Sequence, residues 1–195
     1  MAGRRVAGSV VTVREERPAD AGAVRDLLQA AFATPAESRL VDELRTDPGY
    51  LPHLALVAVE DPAGDGTRVV VGHVMLTRLR MGAVGDPADG DEQADGDEAL
   101  ALAPLAVRPD RQRRGVGAAL MEAALAAADA AGERLVVVVG DPDYYARFGF
   151  GPATDLGIRT PYGKGRQVMA LALPGAATAD LPRGLVAYPA PFAAF

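Results

Sequence analysis

The chain has 195 residues, a net charge of -6 from 20 Lys+Arg against 26 Asp+Glu, no Cys, no Trp and two His. Without Cys there is no disulfide scaffold, no thiolate-held zinc or iron–sulfur site and no thiol nucleophile. An apolar share of 49% and a length suited to one domain predict a single globular unit over residues 1–195.

The first stretch, Val6 to Val13, is largely apolar and follows Arg4 and Arg5. It runs into Arg14-Glu15-Glu16 without a small-residue cleavage site, so it does not read as a signal peptide. No window reaches the roughly 18 apolar residues of a membrane helix. The expectation is a cytoplasmic protein with no membrane or nucleic-acid partner, monomeric or homodimeric.

Thr12-Val13-Arg14 alternates like a first strand. A helix opens at Pro18-Ala19-Asp20, with Val24, Leu27, Leu28 and Phe32 on one face, and a second fits Glu37 to Arg45. Leu54 to Glu60 and Val69 to Met81 read as strands joined by the turn-rich segment Asp61 to Gly66, a predicted hairpin. His73 falls mid-strand, where a half-buried imidazole is expected; His53, beside Pro52, reads as loop.

Gly85 to Glu98 carries seven acids and no base, a predicted acidic flexible loop; the remaining residues then sum to +1. An EF-hand template fails there, because its fifth and sixth positions from Asp89 are Gln93 and Ala94. No metal site is expected. Leu100 to Val107 is a strand interrupted by Pro104, which suggests a bulge or an edge. A helix from about Arg114 to Ala131 buries Leu120, Ala124, Leu125 and Ala128 and stops at Gly132. Leu135 to Val139 reads as a strand covered on both faces. Pro142 to Phe148 is a short helical turn and Val168 to Leu173 a final strand. The apolar tail from Leu185 to Phe195 covers either its own core or a partner. The order defines a mixed α/β (α+β) chain.

The chemistry concentrates in Arg108 to Arg114, four Arg and one Asp, followed by Gly115-Val116-Gly117. Glycines where a loop becomes a helix let backbone N–H groups converge, and the helix N-terminus adds about half a positive charge. That makes an anion site suited to pyrophosphate. It is not a Walker loop, which needs Gly-Lys-Ser/Thr, nor a dinucleotide fingerprint, because Leu120 stands where the third Gly belongs. A glycine-softened helix start with solvated arginines would look the same. A serine hydrolase is not supported, since Ser9 and Ser38 are the only serines and neither sits in G-x-S-x-G.

Gln112-Arg113-Arg114-Gly115-Val116-Gly117 resembles the Q/R-x-x-G-x-G/A acetyl-CoA signature of the GNAT superfamily of N-acetyltransferases, and Tyr145 to Phe150 resembles its Y-x-x-x-G-F segment. Gly140-Asp141-Pro142 with Tyr144-Tyr145, E-x-x-L-V-x-x-L-R from Glu37, Gly72-His73-Val74 and V-x-Y-P-x-x-F from Val186 are similar to the YhbS-like bacterial branch. The resemblance runs from about Thr12 to Phe192.

It implies a mixed, mostly antiparallel sheet flanked by helices and splayed between the fourth and fifth predicted strands, with acetyl-CoA as cosubstrate. Leu105, Ala106 and Val107 would offer backbone pairing to the pantetheine arm, and a nearby N–H would steady the thioester oxygen. Gln112, Arg113, Arg114, Gly115, Val116, Gly117 and Ala118 would form the pyrophosphate loop, with any of the four arginines a candidate for phosphate.

Tyr145 occupies the family position of the general acid and borders the cofactor; a phenol packed beneath the cofactor is the plainer reading. Direct attack needs a neutral amine, and an ammonium of pKa ~10.4 is deprotonated only about one part in 2,500 at pH 7, roughly 4.6 kcal/mol. Glu37 is the acceptor-side candidate to cover that gap, and equally a helix-starting Glu favoured by the dipole. The acceptor would be a primary amine of a small molecule or protein. A non-catalytic acyl-CoA sensor, or a transferase of longer acyl groups, would share these motifs.

Overall fold

The computed structural model describes residues 3–6, 9–61, 64, 66–82, 97–160, 167–177 and 180–194. The strands are β1 (Gly3–Val6), β2 (Ser9–Glu15), β3 (Tyr50–Glu60), β4 (Val69–Gly82), β5 (Asp97–Val107), β6 (Leu135–Val139), β7 (Gly151–Pro152), β8 (Ile158–Arg159), β9 (Val168–Ala172) and β10 (Gly184–Ala187). The helices are α1 (Ala21–Ala31), α2 (Ala36–Leu44), α3 (Val116–Ala130) and the single turn α4 (Pro142–Tyr145). The sheet runs β1-β2-β3-β4-β5-β6-β9-β7, with β10 bridging β4 and β8. It is antiparallel except for β5 with β6 and β8 with β10.

Period-two alternation sorts the side chains to two faces. On one face Val57, Val59, Met75, Leu79 and Val137 pack under α1 and α2, with Val24, Leu28, Val41 and Leu44 buried against them. On the other, Leu56, Ala58, Val74, Leu76 and Val136 pack under α3. α3 is alanine-rich, so it lies close to the sheet and buries Val116, Leu120, Met121, Ala124 and Ala128; Leu125 is half-buried at its margin. Gly72 is what permits that approach, because a Cβ there would sit 2.8 Å from Leu120 Cδ1 and 3.0 Å from Val116 Cγ1.

Several expectations need correction. The first and last strands are not Thr12–Arg14 and Val168–Leu173: β1 adds a hairpin before β2, and β10 follows β9. Pro52 and His53 belong to β3, where the register against β4 is irregular between Tyr50 and Ala55, the kind of position a strand proline tolerates. α3 starts at Val116 rather than near Arg114, because Gly115 takes a left-handed φ of 84°. The predicted acidic loop 85–98 lies outside the described residues except for Asp97 and Glu98, which are strand, not loop.

The apolar tail covers its own core. β10 pairs with Arg80–Gly82 of β4, the edge that β3 leaves after Tyr50/Thr77. Val186 and Phe192 are buried with α2, and Leu185 is the one large apolar side chain left exposed among the described residues.

His73 is fully buried, not half-buried. Its Nε2 lies 2.9 Å from a Glu16 carboxylate oxygen, and Arg45, which caps the C-terminus of α2, donates to the other oxygen at 2.9 Å. Burial alone would push the Glu16 carboxyl up; His73 and Arg45 outweigh it and hold the group below its ordinary value. The cluster ties the end of β2 to β4 and to α2. It is a fold device, since none of its members lines the clefts described below.

Gly72→Ala is expected to cost about 1–3 kcal/mol and lower Tm by roughly 3–10 °C in thermal denaturation. Glu16→Gln should cost about 1–3 kcal/mol at neutral pH, because Arg45 keeps Asp42 at 2.7 Å but both it and His73 lose their charged acceptor. A depressed carboxyl contributes stability above its unfolded value that is lost as pH falls through its folded value. Below about pH 4.5 the loss of stability with acid, followed by denaturant titration, should therefore be shallower in Glu16→Gln than in the parent.

Candidate active site

β5 and β6 pair only at Leu100↔Val136 and Ala101↔Val137. Beyond that point the strands part, and the facing backbone edges of Leu102–Val107 and Val138–Val139 have no strand partner among the described residues. By the predicted count these are the fourth and fifth strands, so the splay falls where the family resemblance implies it. Pro104 lacks an N–H and cannot continue a ladder there. Opposite it the β4–β5 register shifts between Val74 and Leu76. The shift also reverses the alternation of β5. Ala101 and Ala103 face α1 and α2, but Ala106 takes that face after the bulge, leaving Leu105 and Val107 turned toward α3.

A cleft of about 720 Å³ opens on the α3 side. Leu105 and Val107 form one wall, Gly140, Asp141, Tyr144 and Tyr145 the other, and the loop from Gln112 to Ala118 its mouth. Gln112 Nε2 donates to Val107 O at 3.1 Å and closes the loop onto the strand end. Arg113 holds a left-handed φ of 58°, followed by Gly115 at 84°. Gly115 caps α3 and brings no side-chain oxygen to its first N–H groups. A helix start whose cap leaves its donors unsatisfied is built to receive an acceptor from outside.

The arginines separate into two pairs. Arg108 is bound to Asp110 at 3.1 Å, and Arg111 bridges Asp110 and the buried Glu60, both at 2.7 Å. Arg113 and Arg114 are exposed and make no ion pair among the described residues, so the positive charge left over in the loop is theirs. Arg113 lines the cleft; Arg114 does not. Ala106 and Val116 are buried off the cleft surface, where only their backbone groups are candidates for contact.

Four cleft residues that sequence reasoning did not assign to it are Gly140, Asp141, Tyr144 and Arg147. Arg147 stacks its guanidinium 4.5 Å above the Tyr144 ring. Spacing gave no signal for Arg147, because the contact depends on the turn that α4 makes.

Tyr145 is held from three sides. Its ring meets Tyr144 edge-on at 5.0 Å and Phe150 at 5.7 Å, and a Cβ on Gly140 would stand 2.5 Å from its Cε2. Asp141 starts the turn by accepting from Asp143 N–H at 3.0 Å. Burial, with smaller contributions from Tyr144 and Asp141, pushes the Tyr145 phenol up to about 12.

A second cavity of about 220 Å³ lies on the α1/α2 side of the same splay. Its floor is Ala101–Leu105 and Val137–Val139, and its walls are Phe32, Glu37, Leu40, Tyr188 and Phe192. Glu37 is half-buried in the first turn of α2, and Thr34 donates to it at 3.5 Å. Leu105 and Tyr145 line both cavities and form the partition between them. Among the described residues no His, Asp and Glu gather as a metal site, and no helix is long and apolar enough to cross a membrane.

A splayed sheet, a glycine-capped helix start and a tyrosine turn define an acyltransferase architecture, and comparison with known proteins agrees. Residues 53–152 match the acetyltransferase (GNAT) domain. The chain is 34% identical over 151 residues to the uncharacterized N-acetyltransferase YhbS of Escherichia coli K12, covering 76% of this chain and 80% of that one. The crystal structure of E. coli YhbS in complex with CoA superposes with a TM-score of 0.77 at 26% identity, covering 97% of this chain and 96% of the other. A Brucella melitensis GNAT family acetyltransferase in complex with acetyl-CoA gives 0.68 at 31% identity, covering 93% and 97%. The chain belongs to the GNAT acetyltransferase family.

Gly140→Ala is expected to displace the Tyr145 ring and cost about 1–3 kcal/mol, read as a lower denaturation midpoint. Gly151→Ala, where a Cβ meets nothing within 4 Å, should change it far less.

Proposed function

We propose that this chain is an acetyl-CoA-dependent N-acetyltransferase that joins an acetyl group to a primary amine by direct attack across the Leu105–Tyr145 partition. The observation that carries the reading is the partition itself: two cavities on opposite faces of one sheet share those two residues and little else. A sensor that only bound a CoA ester would need no second cavity on the far side.

The α3-side cleft fits the cosubstrate by its donor set. The N–H groups at the start of α3 and Arg113 suit a pyrophosphate, and the open edge of Leu102–Val107 suits an extended amide arm. The relatives crystallised with CoA and acetyl-CoA support placing the same ligand here. When bound, acetyl-CoA supplies an activated thioester whose sulfur is a good leaving group.

Tyr145 serves as the acid. A phenol pushed up to about 12 keeps its proton at every pH the enzyme meets, and a held O–H donates a hydrogen bond to sulfur as negative charge builds there. Its high value makes full proton release costly in water, but the same desolvation raises the basicity of a thiolate beside it. Glu37, across the partition, receives the ammonium and takes its proton before attack.

Calorimetric titration should give a single acetyl-CoA site; no binding at millimolar ligand removes the proposal. Tyr145→Phe should lower kcat about 100-fold or more with little change in acetyl-CoA affinity. The protonated phenol is the active form and stays so below its value of about 12. The kcat profile should therefore show no falling limb from this group between pH 7 and 10; a limb there that Tyr145→Phe abolishes would contradict the assignment.

A further inference from the structure

We infer that the acceptor is a small monoamine carried on an apolar, preferably aromatic body, and that Glu37 selects it by charge; the inference rests on the acetyl-transfer reading above. The α1/α2-side cavity has one charged side chain in its lining, Glu37, among the described residues. The rest of the lining is apolar or aromatic: Phe32, Leu40, Tyr145, Tyr188 and Phe192 over the floor of Ala101–Leu105 and Val137–Val139. Tyr188 and Phe192 stand with ring centroids 5.2 Å apart at 43°, a preformed aromatic corner.

Each class of amine meets this lining differently. One ammonium pairs with Glu37, which makes no ion pair among the described residues. An amino acid brings a carboxylate that finds no cation in the lining, and a diamine brings a second ammonium that finds no second carboxylate. Either group would be desolvated without compensation, the situation that gives a binding site its strongest discrimination. An aryl or alkyl body instead fills the space between Leu40 and the aromatic corner. The chemistry balances simply. The ammonium first gives one proton to Glu37 and thence to solvent. The amine lone pair then forms the C–N bond to the acetyl carbon, the C–S bond breaks with its electron pair on sulfur, and the remaining excess proton on nitrogen ends on that sulfur as the CoA thiol.

The cavity could alternatively be read as room for a longer acyl tail. The carboxylate decides against that, because an acyl tail would set hydrocarbon against Glu37, whose one hydrogen bond among the described residues is the 3.5 Å contact from Thr34.

The test compares kcat/KM for 2-phenylethylamine, phenylalanine, 1,4-diaminobutane and a lysine-containing peptide, with thiol release as the readout and acetyl-CoA binding measured separately. 2-Phenylethylamine should exceed each of the others by at least about 100-fold. Glu37→Gln should raise its KM at least about 10-fold while shifting the inhibition constant of the neutral isostere 2-phenylethanol less than about 3-fold. A merely structural role would move both alike. Ala103→Leu, which fills the floor without removing a contact, should cut the preference for 2-phenylethylamine over ethylamine at least about 10-fold. Loss of acetyl-CoA binding would overturn the acetyl-transfer reading and this one with it. Normal acetyl-CoA binding with preferred turnover of phenylalanine, the diamine or the peptide, or a preference for hexanoyl-CoA over acetyl-CoA, would overturn the acceptor class alone.

Discussion

The parting of β5 from β6 is the constraint on which the rest of the molecule depends. Two parallel pairs hold the strands together, at Leu100↔Val136 and Ala101↔Val137, and the next residues separate. A sheet opened in its interior exposes backbone donors and acceptors that water or a ligand must satisfy. The fold meets the cost of that opening by covering it from both faces. α3 and the loop before it cover one side, and α1, α2 and the tail cover the other.

Pro104 gives the opening its asymmetry. The register shift beside it reverses which side chains of β5 face which core, so Leu105 and Val107 turn to the α3 cleft while Ala103 remains beneath α1 and α2. A regular strand would have sent Leu105 wholly to the other face. The wall between the two cavities therefore owes its position to one residue that cannot donate a hydrogen bond. Tyr145 completes it from α4, the turn that follows β6, fixed by Tyr144, Phe150 and the bare backbone of Gly140.

Most of the scaffold was legible in the sequence where one period persisted for several residues. The valines of β6, the alternation in β3 and β4 and the helical spacing of Val24, Leu27, Leu28, Leu120, Ala124 and Ala128 each follow from a single buried face. The errors sit where that signal is short. β7 and β8 are two residues each, β10 is four, and their strand character comes from neighbours distant in the chain. The loop arginines show the same limit. Four in seven residues read as one positive patch, but Glu60, 51 positions away and only 4% exposed, claims Arg111, and Asp110 claims Arg108. Local charge counting cannot see a partner brought in by the sheet.

The two cores, one under α1 and α2 and the other under α3, meet only through the strands between them. Apart from the partition, no side chain that lines one cavity lines the other. Energetic coupling fades when residues share no partner, so the sheet acts as an insulating layer. Changes on the α1/α2 face can accumulate during divergence without eroding the opposite groove. A lineage with this architecture is free to exchange one half of its chemistry while conserving the other, and the coupling that remains must pass through Leu105 and Tyr145.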